Sequence, residues 1–597
     1  MKKCKVGLLG VGRGGMLWKY CKAAGNAEIV AVCDKWQEGL DRAKKDISDD
    51  NVAYYTDFNE FIKHDMDAVL LANYATEHAP FAIAAMKSGK HVLSEVLPAL
   101  NMAQAVELIE CVEETGMKYC YLENYCYMYG PREMKRRYQS GELGEFEYAE
   151  GEYMHNCEPI WHSITQGNPD HWRNNMSAFY YCTHSTGPII HIAGLRPVKV
   201  VGIEMPFNTR MARMGAKAGN AALEIITFEN GAIGKSLHGI GCSKDSIWYS
   251  VYGSKGRLET AREDAKLGDV SRVYENLDKL EGVSEKNIKS YEPTDEFTIN
   301  ASKHGHSGSD YICMYNAFEH INGNEADIID VYEAIDMWMP GFFGYLSAIE
   351  GGITFDIPNL RNKEERDLYR NDFRCTEKKF AGDQLLPSYS KGNPQVDPKI
   401  YELCKEKWEN STKKVEAEPK PDPQLVMNWE NDGEAAKEFV LPEGVTVERF
   451  CDRETALTDW LEIVSHGLTH EVKSKDFYDR CMYGDYKYYN DDKCFFLVKD
   501  GEAAATITII CDPEKKQGYI HMVACKENFR GQGLGTLLNN VAVKVLKDEG
   551  METAYLTTDD WRIPAIKSYL RCGFKPDLST ENFKERWDKI FEKINEK

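Results

Sequence analysis

KVGLLGVGRGG, residues 5–15, leads from a short apolar run into three glycines, Gly10, Gly12 and Gly15, with the spacing GxGxxG. The helical run MLWKYCKAA follows directly. Glycine is needed at such a turn because the backbone must bend tightly and come close to a pyrophosphate, which then lies at the positive end of the helix. The stretch therefore predicts a strand, a turn and a helix that together bind a dinucleotide.

Two further residues belong to this predicted site. Asp34 ends the next strand candidate, EIVAVCD, where a carboxylate can accept hydrogen bonds from an adenosine ribose. Its charge would repel a 2′-phosphate, which favours NAD over NADP. Arg13, inside the turn, is also predicted to contact the cofactor. The alternative is a glycine-rich turn without a ligand, but the strand, the helix and the acid together favour dinucleotide binding.

The length and spacing of the apolar runs change along the chain. DAVLLANY, KHVLSEV and MKYCYLEN alternate with amphipathic stretches, as in βαβ units of a parallel sheet. Longer strand-like runs follow: EFEYAEGEYMH, VKVVGIEM, AALEIITFENG and SIWYSVYGSKGRLE. We therefore predict a Rossmann domain over residues 1–125 and a second domain with a mostly antiparallel sheet over residues 126–376.

The rest of the chain is predicted to hold an arm, a linker and a third domain. Within the arm and linker, residues 377–440, STKKVEAEPKPDPQ predicts an extended segment because Pro419, Pro421 and Pro423 stand among charges. Residues 441–597 carry VTVERF, CFFLVKD, AAATITII, GYIHMVAC and METAYLTT with two helical stretches, which predict a compact α/β unit. The predicted fold class is a multidomain α/β and α+β chain.

Composition excludes several classes of partner. The 597 residues include 73 Lys and Arg against 95 Asp and Glu, a formal charge of −22 that disfavours nucleic acid and anionic membranes. The 18 cysteines show no zinc-site spacing, so we expect reduced thiols and no metal. Neither a signal peptide nor an apolar run of about 20 residues is present, which predicts a cytoplasmic protein.

Several landmarks resemble the Gfo/Idh/MocA oxidoreductases: GLLGVGRGG, YATEHAPFAIAAMKSGKHVLSEV, GELGEF, FENGAIG and GSKGRLE. The resemblance covers about the first 375 residues. It implies a Rossmann domain joined to an α/β domain whose open sheet supports a sugar or polyol site and often forms oligomer contacts. A homo-oligomer acting on a small sugar or glycoside is therefore expected.

One departure from that family concerns the residues after KHVLS. The family usually carries Glu-Lys-Pro, whereas this chain has Glu95, Val96, Leu97 and Pro98. Valine cannot transfer a proton, so the lysine's role is lost or supplied elsewhere. By resemblance, Glu95 and His78 still lie near the nicotinamide.

ENYCY, GEYMH, HWR and YYCTHSTGP are similar to a subgroup that contains NAD-dependent glycosidases. The resemblance assigns catalytic or substrate-binding roles to six residues. We expect catalytic roles for His184, Tyr181, Tyr153 and His155, and substrate binding for Glu123 and Arg173. Histidine can accept a hydroxyl proton at neutral pH, and arginine suits a polar, hydroxyl-rich ligand. The alternative for each is a hydrogen-bonded core or surface residue.

The C-terminal stretch HMVACKENFRGQGLGTLLNN, with KSYLRCGF, resembles the acyl-CoA-binding half of GNAT acetyltransferases. The resemblance implies that a turn grips acetyl-CoA, that a strand follows the pantetheine arm and that a tyrosine protonates the thiolate. These roles fall on Arg530, Gly531, Gly533 and Gly535, on Val523 and Cys525, and on Tyr569. No general base can be placed, and the alternative is a domain that only packs or binds a ligand.

Four functions remain open at this point. The first is NAD-dependent oxidation or reduction of a ring hydroxyl, at carbon 3 of a sugar, glycoside or polyol. The second is redox-neutral glycoside cleavage by oxidation, elimination, hydration and reduction. The third is acetyl transfer to an unknown acceptor beside a sugar-binding N-terminal module, and the fourth is a scaffold that binds neither cofactor.

Overall fold

The computed structural model describes residues 3–262, 273–278, 289–291, 295–417, 423–436, 438–469, 471–484 and 486–595. Two compact units divide the chain, Met1–Ala417 and Glu418–Lys597. Pro419 and Pro421, which carry part of the linker prediction, lie outside the described residues.

The first unit begins with a parallel sheet built from the predicted apolar runs. In the described residues its order is β3-β2-β1-β4-β5-β6, and every pairing is parallel. The strands are β1 Cys4–Leu9, β2 Ala27–Cys33, β3 Ala53–Tyr55, β4 Ala68–Leu71, β5 His91–Ser94 and β6 Tyr119–Tyr121. The connecting helices are α1 Gly15–Ala24, α2 Gln37–Ile47, α3 Phe58–Phe61, α4 His78–Lys87 and α5 Met102–Thr115. The Rossmann prediction is confirmed in this region, because β1 and β4 are buried almost throughout between helices.

A second, mixed sheet follows α6 (Tyr129–Gln139). Its order in the described part of the chain is β14-β13-β12-β11-β7-β10-β9-β8-β15. The strands are β7 Phe146–Asn156, β8 Pro197–Glu204, β9 Ala221–Phe228, β10 Ile233–Gly239, β11 Gly241–Gly253, β12 Gly256–Thr260, β13 Val273–Leu277, β14 Lys289–Tyr291 and β15 Phe355–Asp356. β7 and β10 pair in parallel, and the other neighbours pair antiparallel. The predicted, mostly antiparallel sheet is confirmed.

Two buried helices cover one face of this sheet, α8 (Thr183–Ala193) and α12 (Val331–Ile349). Close packing depends on glycines in the strands beneath them. A Cβ at Gly202 would lie 2.0 Å from the Gly344 carbonyl oxygen of α12. The shorter helices of this region are α7 Trp161–Thr165, α9 Thr209–Met214, α10 Glu296–Ala301 and α11 Ser309–Ile321.

Three helices follow β15, the first before residue 377 and the other two within the segment predicted as an arm and linker. They are α13 Lys363–Tyr369, α14 Lys378–Ala381 and α15 Lys399–Ala417. Ion pairs hold the first of these to α5, with Arg366 Nη1 2.7 Å from Glu113 Oε2. The extended linker prediction is wrong for residues 411–417, which end α15. That helix is rich in Lys and Glu, which favour helices, and the three prolines that suggested a linker all lie after Ala417, where the helix ends.

The second unit is one mixed sheet flanked by helices, with the described order β17-β18-β19-β20-β21-β16-β22. The strands are β16 Leu425–Glu430, β17 Val445–Arg449, β18 Cys494–Lys499, β19 Glu502–Asp512, β20 Gln517–Cys525, β21 Thr553–Thr558 and β22 Lys575–Pro576. The helices are α16 Ala456–Val464, α17 Lys475–Asp479, α18 Leu534–Asp548, α19 Ile563–Arg571 and α20 Glu581–Asn595. This unit starts before the predicted boundary near residue 440, since β16 pairs along its whole length with β21 and completes the sheet.

None of the helices in the described part of the chain combines the length and apolar character that a bilayer crossing requires.

Candidate functional site

The glycine-rich turn joins the end of β1 to the start of α1. Gly10 has a φ of 98°, and a Cβ there would lie 2.5 Å from the Ala72 carbonyl oxygen, so only glycine fits. At Gly12 a Cβ would meet no described atom within 4 Å, which leaves room for a phosphate against the backbone. No side chain caps the first turn of α1, which begins at Gly15. Its positive end is therefore available to an anion.

Asp34 follows β2 beside this turn. Its carboxylate accepts from the Val11 N–H at 2.8 Å and from the Trp36 N–H at 2.9 Å. These bonds hold the carboxylate against the glycine-rich turn, and a carboxylate retains lone pairs for further donors. The predicted contact between Asp34 and an adenosine ribose is compatible with this position and stays a prediction.

Arg13 connects the turn to two buried acids. Its Nη1 and Nη2 donate to Asp310 at 3.0 and 2.7 Å, and its Nε lies 3.0 Å from Glu95 Oε1. Burial opposes the charge of Arg13, but Glu95 and Asp310 outweigh it and raise the guanidinium pKa. Burial also opposes the charge of Asp310, yet hydrogen bonds from His306 and Arg13 hold its pKa below the ordinary value. The guanidinium therefore stays charged and fixed.

Asp310 is absent from the sequence predictions. Besides Arg13, it accepts from Asn124 Nδ2 at 2.9 Å and lies 2.9 Å from His306 Nδ1. Its place in the first turn of α11, after the glycine-containing run HGHSGS, is the signal that could have pointed to it. Asp310 links the glycine-rich turn, α11 and the segment after β6.

His78 is fully buried at the start of α4. Its Nδ1 lies 3.1 Å from the Leu97 carbonyl oxygen and its Nε2 3.3 Å from the Asn73 carbonyl oxygen. Burial lowers the pKa of His78 to about 4, so the ring is neutral at neutral pH. His78 thus holds the loops after β4 and β5 together, and its predicted contact with the cofactor stays a prediction.

His184 and Glu123 form a buried dyad. Nδ1 of His184 lies 2.7 Å from Oε1 of Glu123, a fully buried carboxyl group just after β6. Because a carboxylate only accepts hydrogen bonds, this contact selects the tautomer of the neutral imidazole in which Nδ1 carries the proton and Nε2 has the lone pair. The structure therefore brings together two residues that are 61 positions apart and prepares one ring nitrogen as a base.

Gly151 allows α8 to carry His184 close to the sheet. A Cβ at Gly151 of β7 would lie 2.1 Å from the Ser185 carbonyl oxygen, so only glycine permits this approach. From β11, the Tyr249 hydroxyl donates to the His184 carbonyl oxygen at 2.5 Å. The backbone that carries the dyad histidine is therefore fixed from two strands.

Three tyrosines surround the dyad. The ring centroids of Tyr125 and Tyr153 lie 4.5 and 4.6 Å from that of His184, and Tyr181 stacks on it at 5.7 Å. Burial raises the pKa of Tyr153 well above its ordinary value, so its hydroxyl stays protonated and can donate. Two predicted residues, Tyr153 and Tyr181, are thus brought to His184. Tyr125 is an addition to the predictions, although ENYCY contains it.

Arg173 and His155 lie at the edge of this cluster. The Arg173 guanidinium lies over the rings of Trp172 at 4.5 Å and Tyr181 at 5.4 Å, and it makes no ion pair with any described residue. Burial lowers its pKa, although the guanidinium stays charged at neutral pH. His155 lies 5.8 Å from Tyr153 between ring centroids, with Nδ1 3.1 Å from Asp245 Oδ1. Burial lowers the pKa of His155 more than Asp245 raises it.

Glu95 connects the glycine-rich turn with the dyad. Burial raises the pKa of Glu95, whereas the positive charge of Arg13 lowers it. Asp310, the other acid that Arg13 contacts, accepts from Asn124, the residue that directly follows Glu123. The turn, Glu95 and the dyad therefore belong to one site.

The second unit contains a cavity of about 890 Å³. All seven residues predicted for acyl-CoA chemistry line it: Val523, Cys525, Arg530, Gly531, Gly533, Gly535 and Tyr569. α18 starts after Gly533 without a capping side chain, so its positive end is open to a pyrophosphate. Burial raises the pKa of Tyr569 to about 12, which keeps its hydroxyl protonated as a donor requires.

A bulge in β20 shapes one wall of this cavity. Met522 has a φ of 51°, and the pairing of β20 with β19 shifts register there. The ladder between β20 and β21 ends at Ile520 and Leu556. Val523 and Cys525, beyond the bulge, are therefore not paired with β21, and both line the cavity. Their contact with the pantetheine arm stays a prediction.

Family comparisons agree with both sites. Residues 4–122 match the model of the oxidoreductase family with an NAD-binding Rossmann fold, and residues 457–574 match that of the acetyltransferase (GNAT) family. The chain joins a Gfo/Idh/MocA oxidoreductase region to a GNAT acetyltransferase domain. NAD is the cofactor of the oxidoreductase region, and acetyl-CoA is the acyl donor of the acetyltransferase domain.

Curated relatives match the oxidoreductase region and part of the following chain. Glycosyl hydrolase family 109 protein 3 of Phocaeicola vulgatus is 26% identical over 444 residues, 66% of this chain and 81% of the relative. A glycosyl hydrolase family 109 protein of Solibacter usitatus is 25% identical over 392 residues, 60% of this chain and 88% of the relative. An NAD-binding oxidoreductase structure from Klebsiella pneumoniae superposes with a TM-score of 0.50 at 15% identity, covering 60% of this chain and 99% of that one. The structural likeness supports the fold.

Proposed function

We propose that the oxidoreductase region cleaves a glycoside by a redox-neutral route that starts with oxidation of a ring hydroxyl at carbon 3. The observation that carries this proposal is the His184–Glu123 dyad, whose imidazole is surrounded by the rings of Tyr125, Tyr153 and Tyr181. The glycosyl hydrolase names of the relatives support a carbohydrate substrate.

The glycine-rich turn fits NAD, because Gly12 leaves space for a phosphate and the start of α1 is uncapped. When bound, NAD accepts the hydrogen and electron pair that leave the sugar carbon. Gly10, Gly12 and Gly15 would hold the pyrophosphate, Asp34 the ribose, and Arg13 would keep Glu95 in place beside the nicotinamide. The carboxyl group of Asp34 beside the turn favours NAD over NADP.

His184 supplies the first proton step. Its Nε2 accepts the proton of the substrate hydroxyl, and Glu123 stabilises the imidazolium that forms. The resulting ketone at carbon 3 makes the hydrogen on carbon 2 acidic. We assign to Tyr153, Tyr181 and His155, which lie beside one another next to the dyad, the removal of that proton and the protonation of the leaving aglycone. Water then adds at carbon 1 as carbon 2 regains a proton. The hydride held by the cofactor would return to carbon 3, and Nε2 of His184 would give its proton back to the oxygen, so there is no net oxidation.

Arg173 is proposed to bind the sugar. Its guanidinium has several N–H donors in a fixed plane and no ionic partner among the described residues. Hydroxyl oxygens of a sugar could therefore accept hydrogen bonds from it. Stacking on Trp172 and Tyr181 fixes the plane of those donors.

The second candidate is net oxidation of the same hydroxyl, with release of NADH. It is favoured by the match of residues 4–122 to an oxidoreductase model. The two candidates share the first step and differ in whether the ketone product leaves or is carried on to elimination.

Aryl glycosides incubated with the purified chain and NAD separate the two candidates. Aglycone release without net NADH, with deuterium from solvent incorporated at carbon 2, supports cleavage. NADH with an intact glycoside supports net oxidation. His184→Gln should abolish either signal, whereas His320→Gln, a partly exposed histidine outside the dyad cluster, should retain it. Acetyl-CoA turnover without any NAD chemistry would instead support a sugar-binding role for this region.

We also propose that the oxidoreductase region forms a homo-oligomer through the uncovered face of its second sheet. Ile203 of β8 and Ile225 of β9 are exposed on that face at 55% and 39%. Light scattering should give a particle mass that corresponds to two or more full chains. Ile203→Lys should lower the number of chains per particle. The cytoplasmic location inferred from the sequence stays a prediction.

A further inference from the structure

One buried carboxyl group, that of Asp310 in the first turn of α11, accepts four hydrogen bonds. Its Oδ1 accepts from Arg13 Nη2 at 2.7 Å and from Asn124 Nδ2 at 2.9 Å. Its Oδ2 accepts from Arg13 Nη1 at 3.0 Å and from His306 Nδ1 at 2.9 Å. A carboxylate offers about four lone-pair sites, so these donors use all of them. Asp310 is 4% exposed and keeps no acceptor site for a ligand, so its role is to hold other residues in place.

The four bonds join the two halves of the candidate oxidoreductase site. Arg13 belongs to the glycine-rich turn, and its Nε lies 3.0 Å from Oε1 of Glu95. Asn124 directly follows Glu123, the acid of the dyad. Arg13 alone therefore separates the carboxyl group of Asp310 from Glu95, and Asn124 alone separates it from Glu123.

The chain before α11 leaves this carboxyl group no room to move. His306, Ser307 and Gly308 have φ values of 50°, 53° and 91°, a left-handed run that residues other than glycine seldom adopt. Such a backbone persists where the surrounding contacts fix it. A Cβ at Gly305 would lie 2.6 Å from Oδ2 of Asp310. The backbone as well as the four donors therefore sets the position of the carboxyl group.

These contacts lie beside the glycine-rich turn. Asp310 and Arg13 line a cavity of about 660 Å³ together with Gly12 and Gly15. Gly12 is the position where the backbone leaves space for a phosphate. A shift of Asp310 would therefore disturb the edge of the cofactor cavity and the segment that carries the dyad acid at the same time.

We propose that Asp310 is a positioning residue for hydride transfer, which fixes the Glu95 side of the site relative to the dyad. The proposal rests on the oxidation of a ring hydroxyl proposed above. In that step the hydrogen on carbon 3 leaves with its electron pair for the nicotinamide, and the hydroxyl proton passes to Nε2 of His184. The C=O bond forms, so the sugar is oxidised and NAD is reduced. Because both transfers act on one carbon–oxygen unit, a displacement of about 1 Å between the two halves can lower the rate about 100-fold.

The test follows the formation of reduced nicotinamide in a single turnover. The full chain is saturated with NAD and mixed with the aryl glycoside that it oxidises fastest. Asp310→Asn keeps the size of the side chain but replaces one accepting oxygen by an NH₂ group that faces other donors. Reduced nicotinamide should form about 100-fold more slowly, with an unchanged half-saturating concentration of glycoside.

Gly305→Ala moves the carboxyl group without removing a charge. The added methyl group would lie 2.6 Å from Oδ2 of Asp310, whereas the φ of Gly305, −52°, also suits alanine. Reduced nicotinamide should form about tenfold more slowly, because a shift of less than 1 Å misaligns the two transfers. Since every charged group is kept, this variant also tests the proposal if Asp310→Asn fails to fold.

The fluorescence of bound NADH gives a readout that needs no turnover. The emission of NADH depends on the surroundings of its nicotinamide, which we place beside Glu95. Both variants should lower the emission of bound NADH because Arg13 no longer holds Glu95 in one position. The Kd for NADH should stay unchanged, because the glycine-rich turn is intact.

Asp336→Asn is the matched control. Asp336 is a buried acid of α12 that lies 2.7 Å from Arg361 Nη1 and 3.8 Å from Arg196 Nε. It also bridges two partners, neither of which belongs to the candidate site. This variant should reduce NAD and bind NADH as the parent does, so it separates a loss of position from a loss of ion pairs.

A double-mutant cycle tests whether Asp310 acts through Arg13. Arg13→Gln should slow the formation of reduced nicotinamide about as much as Asp310→Asn does. The double variant should be no slower than either single variant, because both changes break one chain of contacts.

The outcomes separate failure of this proposal from failure of the proposed oxidation. If Asp310→Asn and Gly305→Ala reduce NAD as fast as the parent, Asp310 has no positioning role, while the oxidation stands. The same conclusion follows if Asp336→Asn loses as much as Asp310→Asn, or if the losses in the Arg13 and Asp310 variants multiply. If the parent binds NADH but reduces NAD with no glycoside, the proposed oxidation fails and the positioning role fails with it.

Discussion

Replacing Glu123 with Gln tests the dyad most directly. The change removes the negative charge that accepts the Nδ1 proton of His184 at 2.7 Å and alters little else in size. A hydrogen bond to a charged group contributes about 1.5–3 kcal/mol, and each 1.4 kcal/mol corresponds to about tenfold in rate. We therefore expect kcat to fall about 10- to 150-fold. The loss would be larger if the Gln NH₂ faced Nδ1, because Nε2 would then carry the proton.

The assay is steady-state release of aglycone, or of NADH if net oxidation occurs. Binding of NAD should stay unchanged, because Glu123 is not among the residues proposed to hold it. The thermal midpoint should change little, because the amide oxygen of Gln can still accept from Nδ1 of His184 in the space that the carboxyl group filled. Glu107→Gln serves as the control, because that side chain is 60% exposed on α5.

Retention of kcat within threefold by Glu123→Gln, with the parent's thermal midpoint, would refute the role of the dyad. A fall in kcat accompanied by a large drop in the midpoint would instead show that Glu123 acts through the fold. Equal losses in Glu123→Gln and Glu107→Gln would show that the assay reports a general effect of removing charge.

Three further predictions concern other sites. Gly10→Ala should abolish NAD binding because its Cβ would meet the Ala72 carbonyl oxygen at 2.5 Å; Gly89→Ala, at a φ of 77° with open space, should retain binding in the same titration. Glu224 is fully buried and burial raises its pKa to about 8, from an ordinary value of 4.5. The folded state therefore holds a proton that the unfolded chain releases, and stability falls as pH rises from about 4.5 to 8. Glu224→Gln should make the thermal midpoint less dependent on pH over that range. If the midpoint of the variant falls with pH as steeply as that of the parent, Glu224 is not the group that titrates. Tyr569→Phe should lower kcat for acetyl transfer about 100-fold without changing CoA affinity, measured by thiol release and calorimetry.

Local sequence patterns predicted much of the architecture because they report interactions between near neighbours. GxGxxG combines a strand, a tight turn and a helix start within residues 5–24, and the turn has the expected geometry at Gly10. The acyl-CoA residues also lie close together along the chain, and all seven line one cavity. The linker prediction over residues 411–417 was wrong, because the prolines that suggested an extended segment all lie after Ala417, where α15 ends.

The sequence by itself determined the elements, the two cofactor turns and the candidate side chains, since each depends on residue types at short spacing. Only the tertiary structure decided which side chains meet. Asp310 reaches Arg13 across 297 positions, His184 reaches Glu123 across 61, and Gly151 lets α8 approach the sheet. Such contacts depend on how helices pack on sheets, and packing distances are set by side-chain volume and backbone path rather than by local pattern.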